Sequence, residues 1–168
     1  MSRTLLWYAC GLVAASALLL LTQCSAPSPS VASSNEVVLE HQRGACFGPC
    51  PIYELQWHAD GSATLHIQKG FPDPGAESLS PGHYFRNANA ANAKSLKKVL
   101  KLADDIRFDT LGGRYDNPMI MDLPTIRTAI EGVEVIDRYK GPDLAALYDA
   151  IKTWILNGEW AANNDSNN

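Results

Sequence analysis

The chain lacks the features on which several functional classes depend. It carries 14 Lys and Arg residues against 18 Asp and Glu residues, a net charge of −4, and has no basic cluster, which argues against nucleic-acid binding. The Gly-x-Ser-x-Gly and His-Glu-x-x-His motifs of hydrolases are absent. No glycine-rich loop leads from a predicted strand into a helix, so the sequence predicts no phosphate cradle. We therefore expect a protein that is not an enzyme and assign no catalytic residue.

Cysteine is scarce, and two of the four cysteines lie within or beside an N-terminal leader. Residues 1–23 start with a positive charge at Arg3 and continue with an apolar run over 5–21, which is typical of a secretion signal. The Leu-Thr-Gln-Cys segment that follows resembles the lipobox of bacterial lipoproteins, although Gln23 replaces the usual small residue. Weaker alternatives are cleavage after residue 26 and a retained membrane helix at the short end of the spanning range. We expect Cys24 to carry a lipid that anchors the protein to the outer membrane, facing the periplasm.

Composition divides the remaining chain into three parts. Residues 24–35 are rich in Ser, Pro and Ala, which predicts a flexible tether. Residues 36–158 contain the periodic apolar patterns and predict a single domain, whose length suffices for one ordinary core. Residues 159–168 are mostly polar and predict a disordered tail.

A β-hairpin is predicted on both sides of Asp60-Gly61. Apolar residues alternate before the turn and again after it, which is the pattern of half-buried strands. A two-residue turn would place Leu55 opposite His66. A three-residue turn, with Gly61 in the left-handed region, places Leu55 opposite Leu65 and so keeps the apolar residues on one face. We predict the three-residue turn, with Glu54 facing His66 on the solvent side.

The other patterns predict an α+β domain. They indicate a first strand over 36–42, a short fourth strand over 83–86, and a helix that an Asn between 87 and 92 caps. A second hairpin turns at Glu131-Gly132, and a final helix begins near Gly141-Pro142-Asp143. Two hairpins with one apolar face need helices to cover that face. The predicted fold is a two-layer sandwich, in which two helices cover an antiparallel sheet of two hairpins plus one or two further strands.

Several of these segments resemble a known family. The run Cys46-Phe47-Gly48-Pro49-Cys50-Pro51, the Asp-Gly hairpin turn, and Asp122-Leu123-Pro124-Thr125 before the second hairpin are similar to domain of unknown function 6438. The similarity covers approximately residues 38–154. The resemblance implies a small exported bacterial protein, often lipid-anchored, and supplies no catalytic residue.

The remaining cysteines, Cys46 and Cys50, are the sharpest chemical feature. Gly48-Pro49 can bring their Cα atoms within the roughly 4.4–6.8 Å that a disulfide requires, and an oxidising compartment favours this structural interpretation. The alternative is a periplasmic copper- or thiol-handling protein, since CxxxCP also occurs in copper-delivery proteins and thiolates suit Cu(I). That alternative makes Cys46 and Cys50 metal ligands; otherwise no metal or cofactor is predicted. Further ligands for copper would be drawn from the following side chains: His41, His58, His66, His83, Met119 and Met121.

A long segment over 111–123 is the candidate interaction loop. Long ordered loops in compact domains are often functional. Within it, Arg114, Tyr115, Asp116 and Asp122 are the predicted contact residues. The sequence therefore predicts a non-catalytic binding or structural module that uses this loop and the turn of residues 46–50 to hold a periplasmic protein partner.

Overall fold

The computed structural model describes residues 36–76 and 79–162. The predicted leader, the predicted lipidation site Cys24, the predicted tether and the last six residues of the predicted tail lie outside this part. In the part that the structure describes, no helix is both long and apolar enough to cross a bilayer.

The described chain is an α+β domain with one mostly antiparallel sheet and two helices. The sheet order is β5-β7-β6-β1-β2-β3-β4-β8, so the first strand lies between the two hairpins. Only the β5–β7 pair is parallel among the described strands. The strands are β1 (Val37–Arg43), β2 (Ile52–His58), β3 (Ala63–Lys69), β4 (Gly82–Arg86), β5 (Gly113–Tyr115), β6 (Ile126–Ile130), β7 (Val133–Asp137) and β8 (Ala161–Ala162). The helices are α1 (Ala90–Asp105) and α2 (Ala145–Leu156), with a short 3₁₀ turn at Phe108–Thr110.

One face of the sheet and one stripe of each helix form the core. Alternate residues of β2 and β3 are buried, while the residues between them, such as Glu54 and Thr64, are exposed. The ring of Trp57 on β2 stacks on that of Trp154 on α2, with the centroids 3.7 Å apart. The buried helix positions are Leu96, Val99, Ala103, Leu147, Ile151 and Ile155.

The first hairpin has the register that the three-residue turn predicts. Trp57 pairs with Ala63, Leu55 with Leu65 and Tyr53 with Ile67, and Glu54 lies opposite His66. Gly61 has a φ of +86°, where a residue with a side chain is strained. The turn packs on α1 so closely that a Cβ at Gly61 would lie 2.6 Å from the backbone nitrogen of Ala93. The glycine is therefore required both by the turn and by the helix.

The second hairpin also turns where the sequence predicts. Ile130 pairs with Val133, and the two residues between them, Glu131 and Gly132, have φ values of 49° and 87°. Two consecutive positive φ values define the type I′ turn, whose twist matches that of the strands. The Asn cap is confirmed as well: Asn89 accepts a hydrogen bond from the backbone nitrogen of Asn92 at 2.8 Å.

The sheet is larger than the five or six strands predicted. The additional strand β5 lies within the predicted loop, so Arg114 and Tyr115 belong to a strand at the edge of the sheet. It has three residues and no apolar alternation, and it forms only because β7 offers a free edge. A pattern search based on periodicity does not detect so short a segment.

The segment after α2 also differs from the expectation of a tail disordered from residue 159. Ala161 and Ala162 form β8 against β4, and the indole nitrogen of Trp160 donates to the carbonyl oxygen of Ile155 at 2.9 Å. The guanidinium carbon of Arg86 lies 4.1 Å from the ring centroid of Trp154 and 4.7 Å from that of Trp160. The two indoles meet edge to face, with centroids 5.4 Å apart, and the cation contacts both of them, which holds residues that the sequence assigns to the tail.

A candidate binding surface and a cavity at the disulfide turn

The turn between β1 and β2 is tied to the segment before β6. The backbone nitrogen of Gly44 donates to the carbonyl oxygen of Thr125 at 2.8 Å, and that of Phe47 donates to the carbonyl oxygen of Asp122 at 3.1 Å. On the other side, Lys69 Nζ donates to the carbonyl oxygen of Gly48 at 2.7 Å. The sulfur atoms of Cys46 and Cys50 are within bonding distance, and their Cα atoms are 5.9 Å apart. Three hydrogen bonds to two other segments, together with the cysteine pair at disulfide distance, therefore hold this turn in place.

Four large apolar side chains are exposed on these two connected segments. The exposed fraction is 94% for Phe47, 85% for Met119, 81% for Met121 and 41% for Leu123. We call these four residues the apolar surface. Single exposed apolar side chains are ordinary, whereas several on neighbouring segments are typical of an interaction site. A mobile thioether also adapts to the shape of a partner better than a branched side chain does.

The side chains and backbone of the predicted contact residues mainly make contacts within the domain. Asp116 is only 11% exposed and forms ion pairs with Arg114 at 3.0 Å and Arg138 at 3.2 Å. The hydroxyl of Tyr115 donates to the carbonyl oxygen of Leu111. Asp122 is exposed and accepts the hydrogen bond from Phe47 through its backbone. These residues shape the loop, while its most exposed apolar atoms belong to Met119 and Met121.

A cavity of about 340 Å³ lies beside the disulfide turn, between the inner face of the sheet and α2. His41 lines it and is 1% exposed, with its Nδ1 hydrogen-bonded to Thr128 Oγ1 at 2.9 Å. The His41 ring lies against those of Tyr53 and Tyr148, at centroid distances of 5.8 and 5.3 Å. Burial, with the charge of Arg43 as a smaller cause, lowers the pKa of His41 to about 3. The imidazole is therefore neutral throughout the physiological pH range.

The surroundings of the two tyrosines in the cavity, Tyr53 and Tyr148, raise their pKa values. Burial raises the pKa of Tyr53, and the neighbouring Arg43 partly opposes that rise. Burial also raises the pKa of Tyr148, with the charge of Asp137 as the next cause. Both hydroxyls therefore stay protonated, and the two tyrosines contribute uncharged aromatic surface to the cavity.

Charged groups line the same cavity. Lys152 Nζ binds Asp73 Oδ1 at 2.7 Å. Arg43 is different: its Nε is buried without a hydrogen-bond partner, and it has no ion pair among residues 36–76 and 79–162. Sequence analysis missed this cavity. The available signal was the period of two along β1, which places His41 and Arg43 on the same face as the buried Leu39.

Comparison with protein families identifies the fold family. The model of the family described as Domain of unknown function (DUF6438) matches residues 37–155. The chain belongs to this family. No curated protein and no solved structure matches the chain significantly.

The histidines of this DUF6438 domain do not gather around its cysteines. His66 and His83 stack across β3 and β4, with centroids 4.0 Å apart and an interplanar angle of 2°. His41 is enclosed in the cavity. Within the described ranges, no group of three or more His, Cys, Asp or Glu side chains has the arrangement of a metal site. The copper alternative, with Cys46 and Cys50 as metal ligands, stays a prediction.

Proposed function

We propose that this DUF6438 domain is a non-catalytic binding module, anchored by a lipid on Cys24 to the outer membrane and facing the periplasm. The apolar surface would hold a periplasmic protein partner. The observation that carries this proposal is the exposure of Phe47, Met119 and Met121 on two segments that hydrogen bonds and a disulfide hold rigid. A preformed surface loses little conformational entropy on binding, which favours affinity.

The position of the apolar surface favours a protein as its partner and argues against contact with the bilayer. A lipid-anchored chain enters the domain at residue 36, at the start of β1. The apolar surface lies beyond the other end of this seven-residue strand, about 20 Å away. The surface is thus presented away from the anchored end. The same proposal includes a two-layer architecture, with both helices on one face of the sheet, which the alternation of buried and exposed strand residues supports.

The proposal can be tested by photocrosslinking in cells. A photoreactive amino acid at position 47 should give a discrete protein adduct, whereas the same group at the exposed Lys97 on α1 should not. The adduct should disappear when Met119→Ser and Met121→Ser are added, because the partner loses its apolar contacts. An identical adduct pattern from positions 47 and 97, or an adduct that persists in the double variant, would contradict the proposal.

A second candidate function is copper handling by reduced thiols. The observation in its favour is the placement of two exposed thioethers, Met119 and Met121, on the loop that is hydrogen-bonded to the Cys46–Cys50 turn. Thiolate and thioether ligands suit Cu(I). Alkylation of protein from the periplasm decides between the two functions: free thiols without prior reduction favour copper handling, and thiols that react only after reduction favour the binding module.

A further inference from the structure

We infer that the cavity beside the disulfide turn is a binding site for a small monocarboxylate with an aromatic or apolar body. This site is separate from the apolar surface, and the inference does not depend on the function proposed above. It rests on three observations: the size of the cavity, its aromatic walls, and an arginine that has no ion pair among the described residues.

The size and the walls define the body of the ligand. Small-molecule sites commonly have volumes of about 300–1,000 Å³ and are lined mainly by apolar and aromatic side chains. This cavity, at about 340 Å³, is at the lower end of that range. The ring centroid of Tyr53 lies 5.1 Å from that of Phe71 and 5.8 Å from that of His41, and Tyr148 also lines the cavity. A single six-membered ring with a short chain fits such a space.

Arg43 defines the charge of the ligand. Its side chain is half-buried, lines the cavity and has no ion pair among the described residues. A partly desolvated charge without a partner is costly. A carboxylate accepts two parallel hydrogen bonds from a guanidinium and neutralises its charge.

The other charged groups around the cavity are less suited than Arg43 to bind a carboxylate. Lys152 is paired with Asp73, and the second carboxylate that lines the cavity, Asp149, is on the exposed surface of α2. Its charge is weakened by solvent. His41 remains neutral and supplies a polar ring without a charge. Arg43 is therefore the one cation at this cavity without an ion pair among the described residues.

Binding of 3-phenylpropionate, measured by isothermal titration calorimetry on the mature domain, tests the inference. We expect saturable binding of the carboxylate and at least tenfold weaker binding of its neutral analogue, 3-phenylpropanamide. Arg43→Gln removes the charge at similar size and should weaken carboxylate binding at least tenfold. The matched control is Arg107→Gln, which removes an exposed arginine paired with Asp109 outside the cavity and should bind as the wild type does.

Three results would overturn the inference: no saturable binding of 3-phenylpropionate to the wild-type domain, equal affinity for the acid and the amide, or wild-type affinity in Arg43→Gln. If Arg43→Gln fails to fold, the comparison of acid and amide on the wild-type domain decides alone. Because none of these measurements involves Phe47 or the methionines, failure here leaves the proposed function of the apolar surface intact.

Discussion

The backbone nitrogen of Phe47 and the carbonyl oxygen of Asp122 form a 3.1 Å hydrogen bond between two segments that are 75 residues apart in sequence. This bond joins the disulfide turn to the loop that carries the exposed methionines. Each segment alone is a solvent-exposed connection between strands. Together they form one surface whose shape depends on both, so a change in the turn should be transmitted to the loop.

Removing the disulfide tests this dependence. We expect Cys46→Ser/Cys50→Ser to lower the free energy of unfolding by about 2 kcal/mol, since a loop this short constrains the unfolded chain only modestly. Urea denaturation measures the loss. Backbone amide exchange at residues 120–123 should speed up as well, because the hydrogen bond from Phe47 is less well held. Unchanged exchange there would show that the loop does not depend on the turn.

Gly61 and Gly132 form a matched pair for testing close packing against helix α1. Their φ values are nearly equal, +86° and +87°, but a Cβ at Gly61 would meet the backbone of Ala93, whereas a Cβ at Gly132 would meet nothing within 4 Å. We expect Gly132→Ala to cost about 1–2 kcal/mol for the left-handed conformation alone. Gly61→Ala should cost about 1–3 kcal/mol more, the penalty for overpacking. Equal losses in urea denaturation would refute the contact with α1.

The buried His41 predicts a specific loss of stability in acid. Its folded pKa, about 3, lies below the roughly 6.5 of an unfolded histidine, so the unfolded chain takes up a proton that the folded chain excludes. The free energy of unfolding should therefore fall as the pH drops below 6.5, by up to about 1.4 kcal/mol per unit, until the pH approaches 3. His41→Gln should flatten this part of the profile relative to the wild type. Parallel profiles for the two proteins would mean that His41 is protonated in the folded state.

Arg86 and Gly158 offer a double-mutant cycle. The guanidinium contacts two indole rings, and a Cβ at Gly158 would overlap its Nη2 atom. Because the arginine head is flexible, Gly158→Ala should displace it rather than disrupt the fold, at a cost of about 0.5–2 kcal/mol for the lost cation–π contacts. In an Arg86→Ala background the same substitution should be nearly neutral. Additive losses would show that Gly158 is needed for another reason.

The elements that could be predicted are those that residues close together in the sequence specify. Asp60-Gly61 and Glu131-Gly132 specify the positions of the two turns. The alternation of apolar and polar residues around each turn specifies which face is buried, and this was enough to predict the register of the first hairpin. Strands β5 and β8 could not be predicted, because each consists of two or three residues that pair only when a longer strand presents its edge. The cavity was missed for a related reason. His41 and Arg43 are polar residues on a buried face, and only the assembled sheet and α2 show that they meet Tyr148 and Lys152.

The central place of β1 also bears on how the domain responds to force. This strand pairs with β2 on one side and with β6 on the other, and both pairings are antiparallel. A pull that enters at residue 36 and leaves through a partner held at Phe47 would act along the axis of this single strand. The covalent backbone of β1 would then carry the tension, so that the hydrogen bonds of both ladders bear little of it and the rest of the domain need not open under load. A molecule that links a membrane to a second structure would gain a mechanically strong connection from this arrangement alone.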